Sequence, residues 1–360
     1  MKKINVLSLF DGISCGQVAL QRAGIEVTNY YASEIDKHAI SITQKNFPNT
    51  IQLGDVRGWR EWKLPKIDLI MAGSPCQGFS FAGKQLNFDD PRSKLFFEYV
   101  DVLEHFEPEF FLLENVKMKK EFQNVISELL GVDPIEINSN LVSAQNRRRL
   151  YWTNISGVSQ PEDREIFLKD IVHENTWTDR DKSHCLDANY YKGGNAKQYF
   201  EKSRRQKVFD VLSEYIVPFD KTLQILDKEV ERGKVGYFRK DSQANRVYYI
   251  HDKAVTLCGE AGGGAAKMGQ YLFGCITPDR VNKRQNGQRF NSGEKFYTLT
   301  AQDKHGVLIE GYIRKLTPIE CERLQTLPDN YTEGISNTQR YKTLGNGWTV
   351  DVIEHIFSFI

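Results

Sequence analysis

The 360-residue chain lacks paired cysteines and long apolar runs. Its six scattered cysteines form no Cys-x-x-Cys pair, which argues against a zinc site and a disulfide framework. No stretch approaches the roughly 18 apolar residues that a membrane helix needs. Met1–Lys3 leads into only a short apolar segment, without a cleavage signature. We therefore expect an intracellular, cytoplasmic protein that holds no metal and contacts no membrane.

A large net charge is also missing, since 48 basic residues face 47 acidic ones and leave +1. The balance is uneven along the chain. Lys and Arg number 20 against 23 acidic residues in positions 1–172, 23 against 18 in 173–313, and 5 against 6 in 314–360. The basic middle is compatible with contact to phosphates. A solvated surface is the alternative on charge alone.

Strand and helix patterns alternate from the start of the chain. The pattern predicts a strand over Ile4–Phe10 and a turn at Asp11–Gly16 that opens a helix ending near Arg22. Further strands are predicted over Thr28–Ala32, over Thr50–Leu53, before Gly73, over Phe110–Leu113 and over Leu150–Asn154. This order predicts an α/β fold, a doubly wound Rossmann-like parallel sheet with helices on both faces.

Polar residues follow these strands at their carboxyl ends. The apolar run Ile67–Ala72 leads into Gly73–Ser80, with the sequence GSPCQGFS, so a cysteine lies in a tight turn directly after a strand. Ligands of open α/β sheets bind at that edge. An isolated cysteine is more often a small buried hydrophobe. Glu34 and Glu114, which follow two other strands, make the site interpretation of Cys76 the better one.

Composition changes after residue 172 towards Gly, Asn, Lys, Tyr and Gln. We predict a catalytic domain over 1–172, a second, smaller, mostly β or irregular domain over 173–313, and a segment over 314–360 that returns to the first domain. A helix is predicted over Arg204–Lys228. Thr317–Glu320 is typical of a helix start with a capping box. A strand and turn over Tyr341–Trp348 are predicted before a last helix that presents Val350, Ile353 and Ile356 on one face.

Eight blocks of the sequence, in order, resemble the cytosine-5 DNA methyltransferase family. They span both ends of the chain and leave only the basic middle loosely matched. The blocks are LSLFDGISCG, SEID, GDV, GSPCQGFS, LLENV, SAQNRRRLYW, RKLTPIECERLQTLP and YKTLGNGW. The resemblance implies that 1–172 binds S-adenosylmethionine and that 173–313 recognises the target.

The chemistry of cytosine fits these residues. Carbon 5 is a poor nucleophile, and a thiolate that adds to carbon 6 makes it electron-rich. We predict Cys76 as that nucleophile. Glu114, kept partly protonated by desolvation, is predicted to protonate or hydrogen-bond the base. Arg147 and Arg149, two positions apart in an extended segment, point to one side and are predicted to stabilise the developing charge.

The methyl donor implied by the resemblance is S-adenosylmethionine. Glu34 ends the second strand, about twenty residues after the first turn, where a carboxylate accepts hydrogen bonds from ribose hydroxyls. Asp55 is expected to accept a hydrogen bond from the adenine amino group. Ile35 and Val56 are expected to sandwich the adenine ring. Cys15 and its neighbour Ser14 stand where similar enzymes have more glycine. The remaining residues predicted around the donor are Phe10, Asp11, Gly12, Ile13, Ser14, Pro75, Asn346 and Trp348.

The acceptor cytosine lies inside a duplex, so a sheet-edge thiol reaches it only after the nucleotide is flipped out. Residues 78–92 resemble the loop of the family that closes over the flipped base. The segment 245–271 resembles its recognition loops, and lysines and arginines there are more often phosphate contacts. The residues predicted to contact DNA are Gln77, Ser80, Lys84, Arg246, Thr256, Gly263, Arg289 and Thr298.

The leading hypothesis is a DNA (cytosine-5-)-methyltransferase of a bacterial or phage modification system. We expect a monomer that binds double-stranded DNA in the cytoplasm, associated with the nucleoid, beside a restriction endonuclease acting separately. A transfer RNA cytosine-5 methyltransferase is the alternative within the fold, and the basic insert favours DNA. A nicotinamide-dependent oxidoreductase would need a fuller Gly-x-Gly-x-x-Gly turn. A catalytically silent DNA-binding regulator would need no thiol.

Overall fold

The computed structural model describes residues 3–74, 94–174, 176–193, 199, 204–211, 223–230, 234–238, 246–249, 270–276, 306–308 and 311–360. The chain divides into two compact units. The first comprises Met1–Val172, Arg180–Gln206 and Lys315–Ile360, and the second comprises His173–Asp179 and Lys207–Arg314. The boundaries expected at 172 and 313 stay a prediction. Residues 180–206, which that prediction gave to the middle domain, group here with the first unit.

The first unit is built on a seven-stranded sheet with the order β3-β2-β1-β4-β5-β7-β6. Strands β1 to β5 pair in parallel, which confirms the predicted Rossmann-like fold class. Strand β7 instead runs antiparallel to both β5 and β6. The short connection between β6 and β7 accounts for this, because a parallel crossover needs a dozen or more residues. The strands are β1 Ile4–Leu9, β2 Val27–Ser33, β3 Ile51–Gln52, β4 Leu69–Gly73, β5 Phe110–Val116, β6 Ile135–Asn138 and β7 Arg148–Thr153.

Helices pack against this sheet. Leu7 and Ile70 belong to a core cluster with aromatic residues of α3 and apolar residues of α4. Met71, the neighbour of Ile70, lies against Gly16 of α1, since successive strand residues point to opposite faces. None of the described helices is long and apolar enough to cross a membrane. The helices are α1 Cys15–Arg22, α2 Lys37–Asn46, α3 Lys94–Phe106, α4 Lys120–Leu130, α5 Leu168–Ile171, α6 Pro318–Leu324, α7 Asn337–Asn346 and α8 Val350–Phe357.

The last part of the chain differs from its prediction at one element. The capping box is present, because the Oγ1 of Thr317 accepts from the backbone N–H of Glu320 at 3.2 Å and the Glu320 Oε2 accepts from the N–H of Thr317 at 2.7 Å. The strand predicted from Tyr341 is wrong, since α7 covers that stretch. Tyr341 and Leu344 are buried three positions apart, a helical spacing. The apolar face predicted for the last helix is buried.

The described part of the second unit consists of strands. Five of them form a sheet in the order β10-β11-β12-β13-β14, and a further sheet has the order β15-β9-β8. The helix predicted over Arg204–Lys228 is wrong, because β9 and β10 occupy both of its ends. The strands are β8 Thr176–Trp177, β9 Lys207–Val211, β10 Leu223–Val230, β11 Lys234–Phe238, β12 Arg246–Tyr249, β13 Gln270–Ile276, β14 Gly306–Leu308 and β15 Gly311–Lys315.

Gly345 of α7 packs directly on backbone, and this predicts a sharp effect of a single methyl group. A Cβ at this position would overlap the backbone of Asp187 and Ala188, which cannot give way as a flexible side chain can. We expect Gly345→Ala to lower the free energy of unfolding by about 1–3 kcal/mol. Gly58→Ala is the matched control, since a Cβ at Gly58 meets no atom within 4 Å. Urea unfolding measures both, and equal stabilities would contradict the packing.

Candidate active site

A cavity of about 770 Å³ lies at the carboxyl ends of β1, β2, β4 and β5. The first turn after β1 and the ends of β2 and β4 line one part of it, and the end of β5 with two arginines of the β7 segment lines another. Residues of the stretch 343–348 complete the wall. Each contributing strand of the parallel sheet ends at the same edge, so the cavity gathers residues that are far apart in sequence.

The first turn has an unusual backbone. Phe10, Gly12 and Ser14 all adopt left-handed φ angles of 57°, 60° and 56°. Ser14 thus takes a conformation usually left to glycine, and its hydroxyl donates a hydrogen bond to the Asp11 carboxylate. The backbone carbonyl of Ile13 accepts from the Tyr331 hydroxyl at 2.7 Å. These contacts explain how a turn with little glycine keeps this path.

The Glu34 carboxylate fixes the geometry between two strand ends. Its Oε2 accepts from the backbone N–H of Gly12 at 2.8 Å, and its Oε1 accepts from the N–H groups of Ile35 and Asp36, each at 2.7 Å. Ile35 is 73% exposed although it is a large apolar residue, and it lines the cavity. Glu34 therefore joins the first turn to the second strand and presents an apolar side chain beside itself.

Asp55 and Val56 follow β3 and line the cavity as predicted. The Asp55 carboxylate accepts from the backbone N–H of Arg57 at 3.0 Å and also binds its guanidinium. These hydrogen bonds lower the pKa of Asp55. Val56 is buried, with 3% exposure. Arg57, which lines the cavity beside Asp55, was missed by the sequence analysis.

The Asp11 carboxyl group has a raised pKa. Besides Ser14, it accepts from the Tyr30 hydroxyl at 2.6 Å. Burial raises its pKa from 3.8 to about 6, against the lowering effect of these hydrogen bonds, and the nearby Glu34 charge adds to the rise. The Asp11 carboxyl group is therefore more readily protonated than an exposed aspartate.

Glu114 and Arg149 form an ion pair at the end of β5. Arg149 Nε lies 2.9 Å from Glu114 Oε1, and both side chains are largely buried, with 15% and 11% exposure. Arg149 stands opposite Val116 in the pairing of β7 with β5, which explains how the two charges meet. Asn115, also missed from sequence, donates to the Ser74 hydroxyl at 3.1 Å. That bond ties the end of β5 to the end of β4.

Arg147 lines the cavity on the same side as Arg149, as predicted, but its contacts differ. Its guanidinium donates to three backbone carbonyls, those of Leu186 at 3.0 Å, Gly345 at 3.3 Å and Gly347 at 2.9 Å. The side chain is buried, with 4% exposure of the residue. The two arginines are therefore in different environments, one beside a carboxylate and one among carbonyls.

Asn346 and Trp348 form the wall from the last part of the chain. Asn346 is exposed to the cavity as the last residue of α7. The Trp348 indole lies so close to Gly73 that a Cβ there would be 2.9 Å from its Nε1. Gly73 is thus required by close approach of the indole. The strand predicted here was wrong, but the two residues predicted to border the donor both line the cavity.

Helix α3 contributes cavity residues that were not predicted from the sequence. Lys94, Leu95 and Glu98 line the cavity, although Leu95 belongs to an apolar stripe of helical spacing. Such a stripe predicts burial and gives no signal for a ligand. The available sequence signal for a cavity here is the charged pair Lys94 and Glu98 beside Leu95, because a helix buried in the core has no need of charged residues there.

Several predicted residues lie outside the described part of the chain. Arg246 begins β12, and only its backbone is described. Among the described residues no group of three or more His, Cys, Asp or Glu side chains could hold a metal ion. The predictions outside the described residues are Pro75, Cys76, Gln77, Ser80, Lys84, Thr256, Gly263, Arg289 and Thr298.

Comparisons with solved structures agree with this architecture. The Entamoeba histolytica methyltransferase EhMeth superposes with a TM-score of 0.57 at 15% identity, covering 100% of this chain and 98% of that one. The S. pombe Dnmt2 methyltransferase gives 0.53 at 14% identity, covering 99% and 97%. At these identities the likeness shows the fold. The protein thus has the Rossmann-like fold of these methyltransferases.

Residues 4–360 match the family model of the C-5 cytosine-specific DNA methylases. The orphan methyltransferase M.SPRI of Bacillus phage SPR is 30% identical over 439 residues, 99% of this chain and 97% of that protein. The type II methyltransferase M.HhaI of Haemophilus parahaemolyticus is 25% identical, covering 98% and 93%. The chain belongs to the C-5 cytosine-specific DNA methylase family, and the predicted DNA (cytosine-5-)-methyltransferase activity is confirmed at this level.

Asp11 gives the stability of the protein a pH dependence. Because its folded pKa of about 6 lies above the unfolded value of 3.8, its contribution is fully present below pH 4 and is lost as the pH rises through 6. From pH 4 to pH 7, wild type should lose about 2 kcal/mol of unfolding free energy relative to Asp11→Asn. Urea unfolding across this range measures the difference. Asp133→Asn, at an exposed site, is the control, and a pH-independent difference for Asp11→Asn would contradict the assignment.

Proposed function

We propose that this protein transfers a methyl group from S-adenosylmethionine to carbon 5 of a flipped-out cytosine in duplex DNA, through a covalent adduct with Cys76. The observation that carries the proposal is the juxtaposition, in one cavity, of a pair of carboxylates suited to a nucleoside with the Glu114 and Arg149 pair. Family membership supports the reaction. The cavity supports the placing of the two reactants.

The end of the cavity near β2 and β3 fits the donor. Glu34 has its carboxylate turned towards the first turn by backbone N–H groups, with acceptor capacity left on Oε2 for a ribose hydroxyl. Ile35 offers an exposed apolar surface to an adenine ring, and Val56 lines the cavity as well. Asp55 is an acceptor for the adenine amino group. When bound, S-adenosylmethionine supplies an electrophilic methyl group.

The other end of the cavity fits the acceptor base. The Cys76 thiolate is proposed to attack carbon 6, forming a C–S bond and pushing electron density to carbon 5. Glu114 holds or gives a proton at ring nitrogen 3, where negative charge develops. Carbon 5 then takes the methyl group as the bond from that group to the donor sulfur breaks, which leaves S-adenosylhomocysteine. A water molecule takes the carbon 5 proton, and the electrons of that C–H bond re-form the double bond and expel the Cys76 thiolate. The attacking residue follows Ser74, which Asn115 ties to the end of β5.

Arg149 is proposed to serve both the acid and the base. Its guanidinium contacts the Glu114 carboxyl at 2.9 Å, and we propose that it also donates to the carbonyl oxygen of the flipped cytosine. The pair is largely removed from water, where charge interactions are stronger than at an exposed surface. Loss of either partner would leave the other as a buried charge without compensation.

The polymer contacts are proposed from the sequence. Residues 78–92 close over the flipped base, with Gln77, Ser80 and Lys84 next to the DNA. Arg246, Thr256, Gly263, Arg289 and Thr298 of the basic middle segment contact bases and phosphates. We propose a monomer in the cytoplasm, bound to duplex DNA at the nucleoid. The relative M.SPRI is named an orphan methyltransferase, which supports action without an obligate restriction endonuclease, and a separate endonuclease of a modification system is the alternative.

Methyl transfer from labelled S-adenosylmethionine to genomic DNA and to transfer RNA tests the proposal. We expect label on DNA only, with bisulfite sequencing showing protected cytosines in one sequence context. Cys76→Ala should abolish transfer, and Glu114→Gln should lower kcat about 10²–10⁴-fold. Glu109→Gln, at an exposed position before β5, is the matched control. Label on transfer RNA alone, or full transfer by Cys76→Ala, would overturn the assignment.

Glu34 generates a separate prediction for donor binding. Glu34→Gln removes the negative charge and replaces one acceptor oxygen with an NH₂ group that faces backbone N–H donors. We expect KM for S-adenosylmethionine to rise about tenfold, while kcat at saturating donor stays within about twofold. Glu26→Gln, which alters an exposed ion pair with Lys3, is the control. An unchanged KM would remove Glu34 from the donor site.

A further inference from the structure

Arg147 spends its guanidinium on the protein backbone. Nη1 donates to the carbonyls of Leu186 and Gly345, and Nη2 donates to those of Gly345 and Gly347. Nε is buried and has no hydrogen-bond partner among the described residues. Nη1 and Nη2 carry four of the five N–H groups of a guanidinium, and both nitrogens already donate to carbonyl oxygens. Little of the group remains for a bound base.

Two of the three carbonyls that Arg147 contacts, those of Gly345 and Gly347, belong to residues that line the cavity. Gly345 and Gly347 flank Asn346, and Trp348 follows directly. All four residues line the cavity. Position 347 admits no side chain without crowding, because a Cβ there would lie 3.3 Å from the Cys15 sulfur. The path of this segment, here called the 345–348 wall, is thus set by close packing on the first turn and by the Arg147 guanidinium.

A second side chain holds the same wall. Gln325 is fully buried, and its Nε2 donates to the carbonyls of Leu344 at 2.7 Å and Gly347 at 3.1 Å. Its Oε1 accepts from Gln145 at 3.0 Å. Gln145 lies two positions before Arg147, so the segment that leads into β7 reaches the 345–348 wall through two independent polar links.

The neighbouring arginine is engaged differently. Arg149 pairs with Glu114 at 2.9 Å, which is the carboxyl group proposed to act on the base. Arg147 and Arg149 lie on the same side of one extended segment, yet one contacts the donor wall and the other contacts the acid. This segment therefore connects the two ends of the cavity through two arginines whose oxygen partners differ, although both also reach the Cys185 sulfur, at 3.7 Å and 4.0 Å.

We infer that Arg147 is a positioning residue for the methyl donor, acting through the 345–348 wall, and not a group that contacts the cytosine. The inference rests on the proposed donor site. The two arginines should therefore affect different quantities, because Arg147 acts on the affinity for the methyl donor and Arg149 acts on kcat for methylation of the cytosine. A guanidinium is suited to this role, since its planar fork satisfies several carbonyls at once and a lysine ammonium cannot match that geometry.

The experiment compares Arg147→Lys with Arg149→Lys in the full-length protein. Calorimetric titration with S-adenosylhomocysteine measures affinity without turnover, and methylation kinetics at saturating duplex DNA give KM for S-adenosylmethionine and kcat. For Arg147→Lys we expect about tenfold weaker S-adenosylhomocysteine binding, an equal rise in KM, and kcat within about threefold of wild type. For Arg149→Lys we expect unchanged affinity and a kcat at least about 100-fold lower.

Two further variants separate positioning from general loss of structure. Arg148→Lys alters the exposed arginine between the two and should change neither quantity; its side chain is 65% exposed. Gln325→Met removes the second link to the 345–348 wall without touching either arginine, and should weaken S-adenosylhomocysteine binding in the same way. Thermal unfolding of every variant identifies any that fails to fold. If Arg147→Lys does not fold, Gln325→Met carries the test.

The outcomes are distinct from failure of the proposed function. Wild type that binds no S-adenosylhomocysteine and transfers no methyl group would defeat the donor site itself. Wild type that does both, with Arg147→Lys keeping full affinity and losing kcat as Arg149→Lys does, would overturn the inference and place Arg147 at the base. Unchanged affinity in folded Gln325→Met would likewise show that the wall is not held in this way.

Discussion

The site depends on the fact that parallel strands all end at the same edge of their sheet. Residues that follow β1, β2, β4 and β5 are far apart along the chain, and the sheet brings them around one cavity. Polar groups can be kept there because backbone N–H groups beyond the strand ends lack ladder partners and can satisfy them. Glu34 shows this directly, with its carboxylate held by N–H groups from two different turns.

Charges are organised around the same edge in two ways. Towards the donor end, carboxylates are bound by backbone N–H groups or by an exposed arginine, as at Glu34 and Asp55. Towards the acceptor end, Glu114 and Arg149 are largely shielded from water and balance each other. Burial makes each of the latter charges costly alone. The pair is therefore a unit of stability as well as of chemistry, and a change of either member also affects the other.

The sequence predicted the strands that end at the cavity, because an apolar run followed by a polar residue is a local pattern. Glu34, Asp55 and Glu114 were found in this way. The antiparallel direction of β7 relative to β6 follows from their short connection, which the predicted parallel sheet did not take into account. The helix α7 depends on packing partners far along the chain, which no local pattern contains. Arg147 was predicted on the correct side of its segment, but its carbonyl partners come from residues 186, 345 and 347. Hydrogen-bond choice of this kind follows from the tertiary structure.

The contacts of the last part of the chain with the first turn and with α1 also have a consequence for how the protein folds. The Tyr331 hydroxyl reaches the carbonyl of Ile13 across 318 positions, and Arg22 meets Asp351 across 329. Contacts of such separation must close a very long loop before they return any stabilisation, so they form slowly. The edge of the sheet can therefore form before the last part of the chain packs against it. The pocket is therefore complete only after the last part of the chain has packed against the first turn.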